Sequence, residues 1–146
     1  MVKKHSKLKN QSHKSESLLK GQSLNSYCLS KYEENLRFSF EFLDRNQGQS
    51  FKEWERNGNL LKMNETLMEY CKEPIRSKLG DKFKEYGEFP KKSGFVPPAY
   101  IEDDVNWSAL HITGKVVLGG FIYNNTFFVV FLDGEHQFWK CEKKYT

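Results

Sequence analysis

Cysteine is scarce. Cys28, Cys71 and Cys141 lie far apart and form no CxxC pair. An odd set without a framework excludes a disulfide scaffold and offers no ready zinc site, so reduced thiols are expected. Long apolar runs are also missing. The longest is Phe127 to Leu132, six residues, against about 20 for a membrane helix. The basic N-terminus is followed by no apolar stretch of signal-peptide length. A cytoplasmic protein with no membrane partner is the expectation. No internal repeat is visible, and no arginine follows Arg76.

A uniform charge is lacking too. The chain has a formal net charge of +4. Residues 1–31 hold seven lysines and the one acid Glu16, a balance of +6, so residues 32–146 carry −2. Any hold on nucleic acid by the body must come from a local patch rather than from an overall field. The first 31 residues are rich in Lys, Ser, Gln and Asn and poor in bulky apolar groups. They are expected to form a disordered basic tail, a solvated arm or one that touches RNA, DNA or an acidic partner. Residues 32–146 are read as a single domain.

Within that domain, "NLRFSFEFLD" alternates Leu36, Phe38, Phe40 and Phe42 with other residues, the period of a half-buried strand. Ser50 and Glu53 have capping-box spacing, which opens a short helix through Phe51 and Trp54 to about Arg56. Asn57-Gly58-Asn59 ends it. A second helix is expected over about Leu60–Cys71, with Leu60, Met63 or Asn64, Leu67 and Cys71 near one face and Pro74 as its stop. Residues 75–87 are read as a third helix interrupted at Gly80. Pro90, Gly94, Pro97 and Pro98 make 88–106 a loop, whose Phe89, Phe95, Tyr100 and Ile101 should pack on the body.

The rest reads as strand. Trp107–Lys115 and Val116–Tyr123 flank a bend at Gly114, and Gly119-Gly120 mark a bulge or a close backbone approach. Asn124-Asn125 suits a hairpin turn into the apolar strand Thr126–Leu132. Asp133-Gly134 turns again before a short segment, His136–Lys140. The fold class is therefore α+β: an N-terminal strand, two or three helices, then a three- to four-stranded antiparallel sheet with helices on one face.

The first strand "LRFSFEFLD", the pair "SFKEWERNGNLLKMNETLMEYC" and the hairpin "GKVVLGGFIYNNTFFVVFLDGEHQFWK" together resemble the RelE/ParE superfamily of toxin–antitoxin toxins over about residues 36–140. The resemblance implies a RelE-like sandwich and an endoribonuclease (an mRNA interferase) acting on RNA or on the ribosome, or a gyrase inhibitor as in the ParE branch, with a cognate antitoxin as partner and no cofactor. It also places Lys115 where a basic residue would hold phosphate. The chain departs from that family in its slightly acidic body and its long 88–106 loop.

The chemistry of metal-independent RNA cleavage singles out further residues. A 2′-hydroxyl must lose a proton, a phosphate must be held, and the leaving oxygen must gain a proton. His136 is the acid/base candidate because imidazole titrates near neutrality. Glu135 can share that role if the turn bends between them. Lys140 is a second cation, and Phe138 or Trp139 offers a ring for base stacking. His111 faces away from Leu110 and Ile112 and can join His136 if the strands allow. Each has a structural alternative: Asp133–His136 as a plain turn, the lysines as solvated groups, His111 as a structural histidine. Asp133, His111 and His136 as a metal site is the weaker catalytic alternative. A noncatalytic protein- or nucleic-acid-binding module of mobile-element or phage origin is the rival function.

Overall fold

The Ser50 hydroxyl accepts from the Glu53 amide at 3.1 Å and donates to the Glu53 carboxylate at 3.2 Å, so the first helix starts where its cap sequence predicts. This helix, α1, is Phe51–Arg56. Gly58, at φ +80°, takes the left-handed turn that a β-carbon would resist. The second helix, α2, Asn59–Tyr70, follows at once. It buries Met63, Leu67 and Tyr70. Tyr70, rather than the exposed Cys71, completes the stripe. The computed structural model describes residues 34–74 and 82–140, and the basic N-terminal tail lies outside them.

Five strands form one sheet: β1 Arg37–Ser39, β2 Phe83–Gly87, β3 Asn106–Thr113, β4 Val116–Tyr123 and β5 Thr126–Asp133, in the order β1-β5-β4-β3-β2. Three features depart from the expected all-antiparallel sheet. β1 runs parallel to β5, with Phe38 beside Phe127, so the sheet is mixed. β1 is also only three residues long. The chain turns after Ser39, with the Leu43 amide donating to the Phe40 carbonyl at 3.1 Å. The phenylalanine alternation simply continues through that turn. Finally, 83–87 is a strand paired with β3, not the end of a third helix; residues 75–81 lie outside the described part. Among the described residues the helices are α1 and α2, and no helix is long and apolar enough to cross a membrane.

Strand periodicity divides the core into two. Toward the helices, Phe83, Leu110, Leu118, Phe127 and Leu132 pack with Trp54, Met63 and Leu67. Toward the other side, Trp107, Phe121 and Phe131 pack with Ile101 and Phe138, while Phe89 and Phe95 lie against them. Burying each such side chain contributes about 1.5–3 kcal/mol. The second face is covered by the 88–106 loop rather than by a helix. Gln47 pins that loop by pairing with both backbone groups of Val96, each at 2.8 Å, and the Gly94 amide donates to the Gln137 carbonyl at 2.6 Å. The bulge at Gly119-Gly120 shifts the β4–β5 register. A β-carbon on Gly120 would collide with the Phe128 carbonyl, so no other residue fits without movement.

Candidate functional site

The strand register builds one end of the loop-covered face. Phe83 lies opposite Leu110, and the His111 amide donates to the Lys82 carbonyl at 2.7 Å, so Lys82 sits beside His111. His111 pairs with Val117, and Val117 with Asp133. Because side chains alternate between faces, Lys82, Lys84 and Tyr86 of the β2 segment share a side with Ala109 and His111. These five line a cavity of about 70 Å³ with Val117, Asp133, His136 and Trp139.

His136 reaches the cavity from beyond the end of β5. The buried Asp133 carboxylate organises the turn. One oxygen accepts from the Glu135 and Gln137 amides at 3.3 and 2.9 Å, the other from the Phe138 amide at 2.7 Å. The turn is also packed from below: Gly134 lies so close to the Gln49 side chain that a β-carbon there would overlap it. Within this frame His136 adopts φ +55°, a left-handed conformation uncommon for a residue with a side chain. Such conformations persist where surrounding contacts impose them, and they concentrate at functional sites. The result brings the His136 and His111 ring centroids to 5.2 Å, at an interplanar angle of 38°.

The electrostatics follow from that placement. Desolvation lowers the His111 pKa from its ordinary 6.5, and the neighbouring His136, Lys84 and Lys82 lower it further. Every one of these influences disfavours a proton on His111, so it is held toward its neutral form. The pair therefore sits beside two lysines, with one imidazole held toward its neutral form.

The remaining candidates separate. Lys115 and Glu135 form an exposed ion pair with each other and do not line the cavity. The turn does bend between Glu135 and His136, but it sends the carboxylate to Lys115 and the imidazole to His111. Phe138 is fully buried among Tyr86, Phe89, Trp107 and Phe131, which leaves no face for a base. Trp139 is 37% exposed and stacks on Tyr86, with centroids 4.2 Å apart and planes 3° apart. Lys140 is exposed and lines an adjoining cleft of about 490 Å³ with Lys91 and Lys92. The Asp133 carboxylate is committed to backbone amides, and no cluster of three or more His, Cys, Asp or Glu residues arranged to hold a metal occurs among the described residues. Cys71 is an exposed free thiol whose pKa is raised by partial desolvation; Cys28 and Cys141 lie outside the described residues.

Lys82, Lys84 and Tyr86 are missing from the residues singled out in the sequence. Phe83 and Tyr86 are three apart, which reads as a helical face. The signal that would have found them is the i, i+2, i+4 spacing of Lys82, Lys84 and Tyr86, one side of a strand.

No protein-family model, curated protein or solved structure matches the chain.

Proposed function

We propose that this chain is a metal-independent endoribonuclease, a RelE-like toxin in its overall plan, with its chemistry centred on His111 and His136. The observation that carries the reading is the pair of imidazoles at 5.2 Å in a cavity walled by Lys82 and Lys84. The cavity, about 70 Å³, is well below the roughly 300–1,000 Å³ of small-molecule sites. It suits a single phosphate group, with the nucleosides lying outside it. Lys82 and Lys84 would hold the phosphate oxygens and stabilise the charge that builds on them.

In the proposed step, neutral His111 takes the proton from a 2′-hydroxyl. The 2′-oxygen forms a bond to phosphorus as the bond to the 5′-oxygen breaks, and protonated His136 supplies a proton to that leaving oxygen. The products are a 2′,3′-cyclic phosphate and a 5′-hydroxyl end. This assignment replaces Lys115 and Glu135 with Lys82, Lys84 and His111, because the cavity is lined by the latter. The test is incubation of the purified full chain with single-stranded RNA in a metal chelator. Cleavage with cyclic-phosphate ends, lost in His136→Asn and in His111→Asn, is expected. Intact RNA, or cleavage that survives both substitutions, would overturn the proposal. Asparagine is chosen at 136 because it tolerates the left-handed backbone there.

One observation favours a second reading, a noncatalytic module for a protein partner. A cleft of about 710 Å³ at the far end of the same face combines Phe42, Tyr100, Phe121 and Tyr123 with Glu41, Glu102 and Asp104. Its acidic rim and aromatic floor suit a basic segment such as a cognate antitoxin could supply. Under this reading the protein would leave RNA intact and co-purify with a co-expressed neighbouring gene product.

A further inference from the structure

The histidine cavity opens beside a larger cleft, and the wall between them is aromatic. Tyr86 and Trp139 line both spaces. The two rings are stacked in parallel, and Trp139 keeps 37% of its surface exposed. The cleft, about 490 Å³, falls within the size range of nucleotide-scale ligand sites. Its charged lining is Lys91, Lys92 and Lys140 against the one acid Glu88. Residues 32–146 carry a net −2, so a cleft with three lysines and one acid is a local concentration of positive charge, not a sample of the average surface.

We infer that this cleft is a subsite for the unpaired nucleotide next to the scissile phosphate, and that the protein selects single-stranded over duplex RNA. The inference rests on the nuclease reading for the identity of the phosphate in the neighbouring cavity. The physical case is a division of labour between ring and cation. A base placed against Trp139 gains stacking that any base can offer, because every base has a π-face. Lys91, Lys92 and Lys140 then meet the backbone phosphate that follows. A base inside a duplex already has both faces covered by its neighbours, so it cannot use the wall without being splayed out. The seat would therefore discriminate by strandedness far more than by base identity.

The test uses the full chain and a 2′-O-methyl RNA strand, read by fluorescence anisotropy. The methyl group removes the attacking hydroxyl, so binding is measured apart from cleavage. Trp139→Leu is expected to weaken binding by about fivefold or more. The triple variant Lys91→Gln, Lys92→Gln, Lys140→Gln should also weaken it, and should reduce the salt slope by roughly 0.7 for each phosphate contact removed. A duplex of the same sequence should bind more weakly than the single strand. Equal binding by both variants and wild type, or duplex binding as tight as single strand, would overturn the inference. The two proposals fail separately. Binding with these properties alongside intact unblocked RNA would remove the nuclease and leave the cleft. Cleavage lost in His136→Asn, with Trp139→Leu and the triple variant binding like wild type, would remove the cleft and leave the nuclease.

Discussion

The two faces of the sheet are closed by different means. On one, α1 and α2 supply Trp54, Met63 and Leu67 to a core that mixes aliphatic and aromatic residues. On the other, an irregular loop and the segment after β5 lay Phe89, Phe95 and Phe138 over Trp107, Phe121 and Phe131. A helix satisfies its own backbone and can cover a face completely. A loop must borrow partners, here the Gln47 side chain and the Phe42 and Gln137 carbonyls, and it leaves openings at its margins. The histidine cavity and the lysine cleft both lie on the loop-covered side. The aromatic packing there leaves cavities at its margins, whereas the helix-covered side presents a closed core.

Truncating one anchor on each face tests that contrast most severely. Met63→Ala should cost about 2–5 kcal/mol and Phe138→Ala about 3–5 kcal/mol, read by denaturant unfolding, since both side chains are buried. They should differ in what else they damage. Phe138→Ala removes support from Tyr86, on which Trp139 stacks, and should also weaken RNA binding, whereas Met63→Ala should leave the binding of the remaining folded protein intact. Equal damage to binding by both would erase the distinction between the faces.

The turn that carries His136 comes next in size. Asp133→Asn keeps the shape but loses the charge that three amides share, and should cost about 1.5–3 kcal/mol. Acidification probes the same end of the sheet more gently. The folded-state pKa of His111 is lowered, so below about 6.5 the unfolded chain takes up the proton more readily than the folded one. Stability should therefore fall as pH drops from about 6.5 through the lowered His111 value, and His111→Asn should flatten that part of the curve. At the bottom of the scale stands the exposed pair Lys115–Glu135. Removing either partner should change stability by less than about 1 kcal/mol and leave cleavage unchanged. A large loss of cleavage in Lys115→Ala would return this lysine to the site.

The same contrast explains what could be read from the residues alone. The helices were legible because a capping box and a glycine stop are local signals, and the β4–β5 hairpin because Asn124 takes a left-handed φ of +55° beside a long apolar strand. Phe40 and Phe42 misled because alternation survives a turn: Phe40 packs on Phe51, while Phe42 crosses to the loop-covered face. The β2 strand was hidden by the three-residue spacing of Phe83 and Tyr86. In the site, the alternation of β3 set the direction of His111. The direction of His136 depended on three amides closing on Asp133, and the capture of Glu135 by Lys115 depended on how two distant turns meet. Neither has a signature in spacing. Lys82 and Lys84 join the histidines only through the register of β2 on β3.

The central claim is that His111 and His136 share one lysine-walled cavity, and an NMR titration of the two imidazoles tests it most directly. The account predicts that His111 titrates below its ordinary value and moves part of the way back up in His136→Asn, since burial and Lys82 and Lys84 remain. A His111 midpoint at or above about 6.5, unmoved by that substitution, would contradict it.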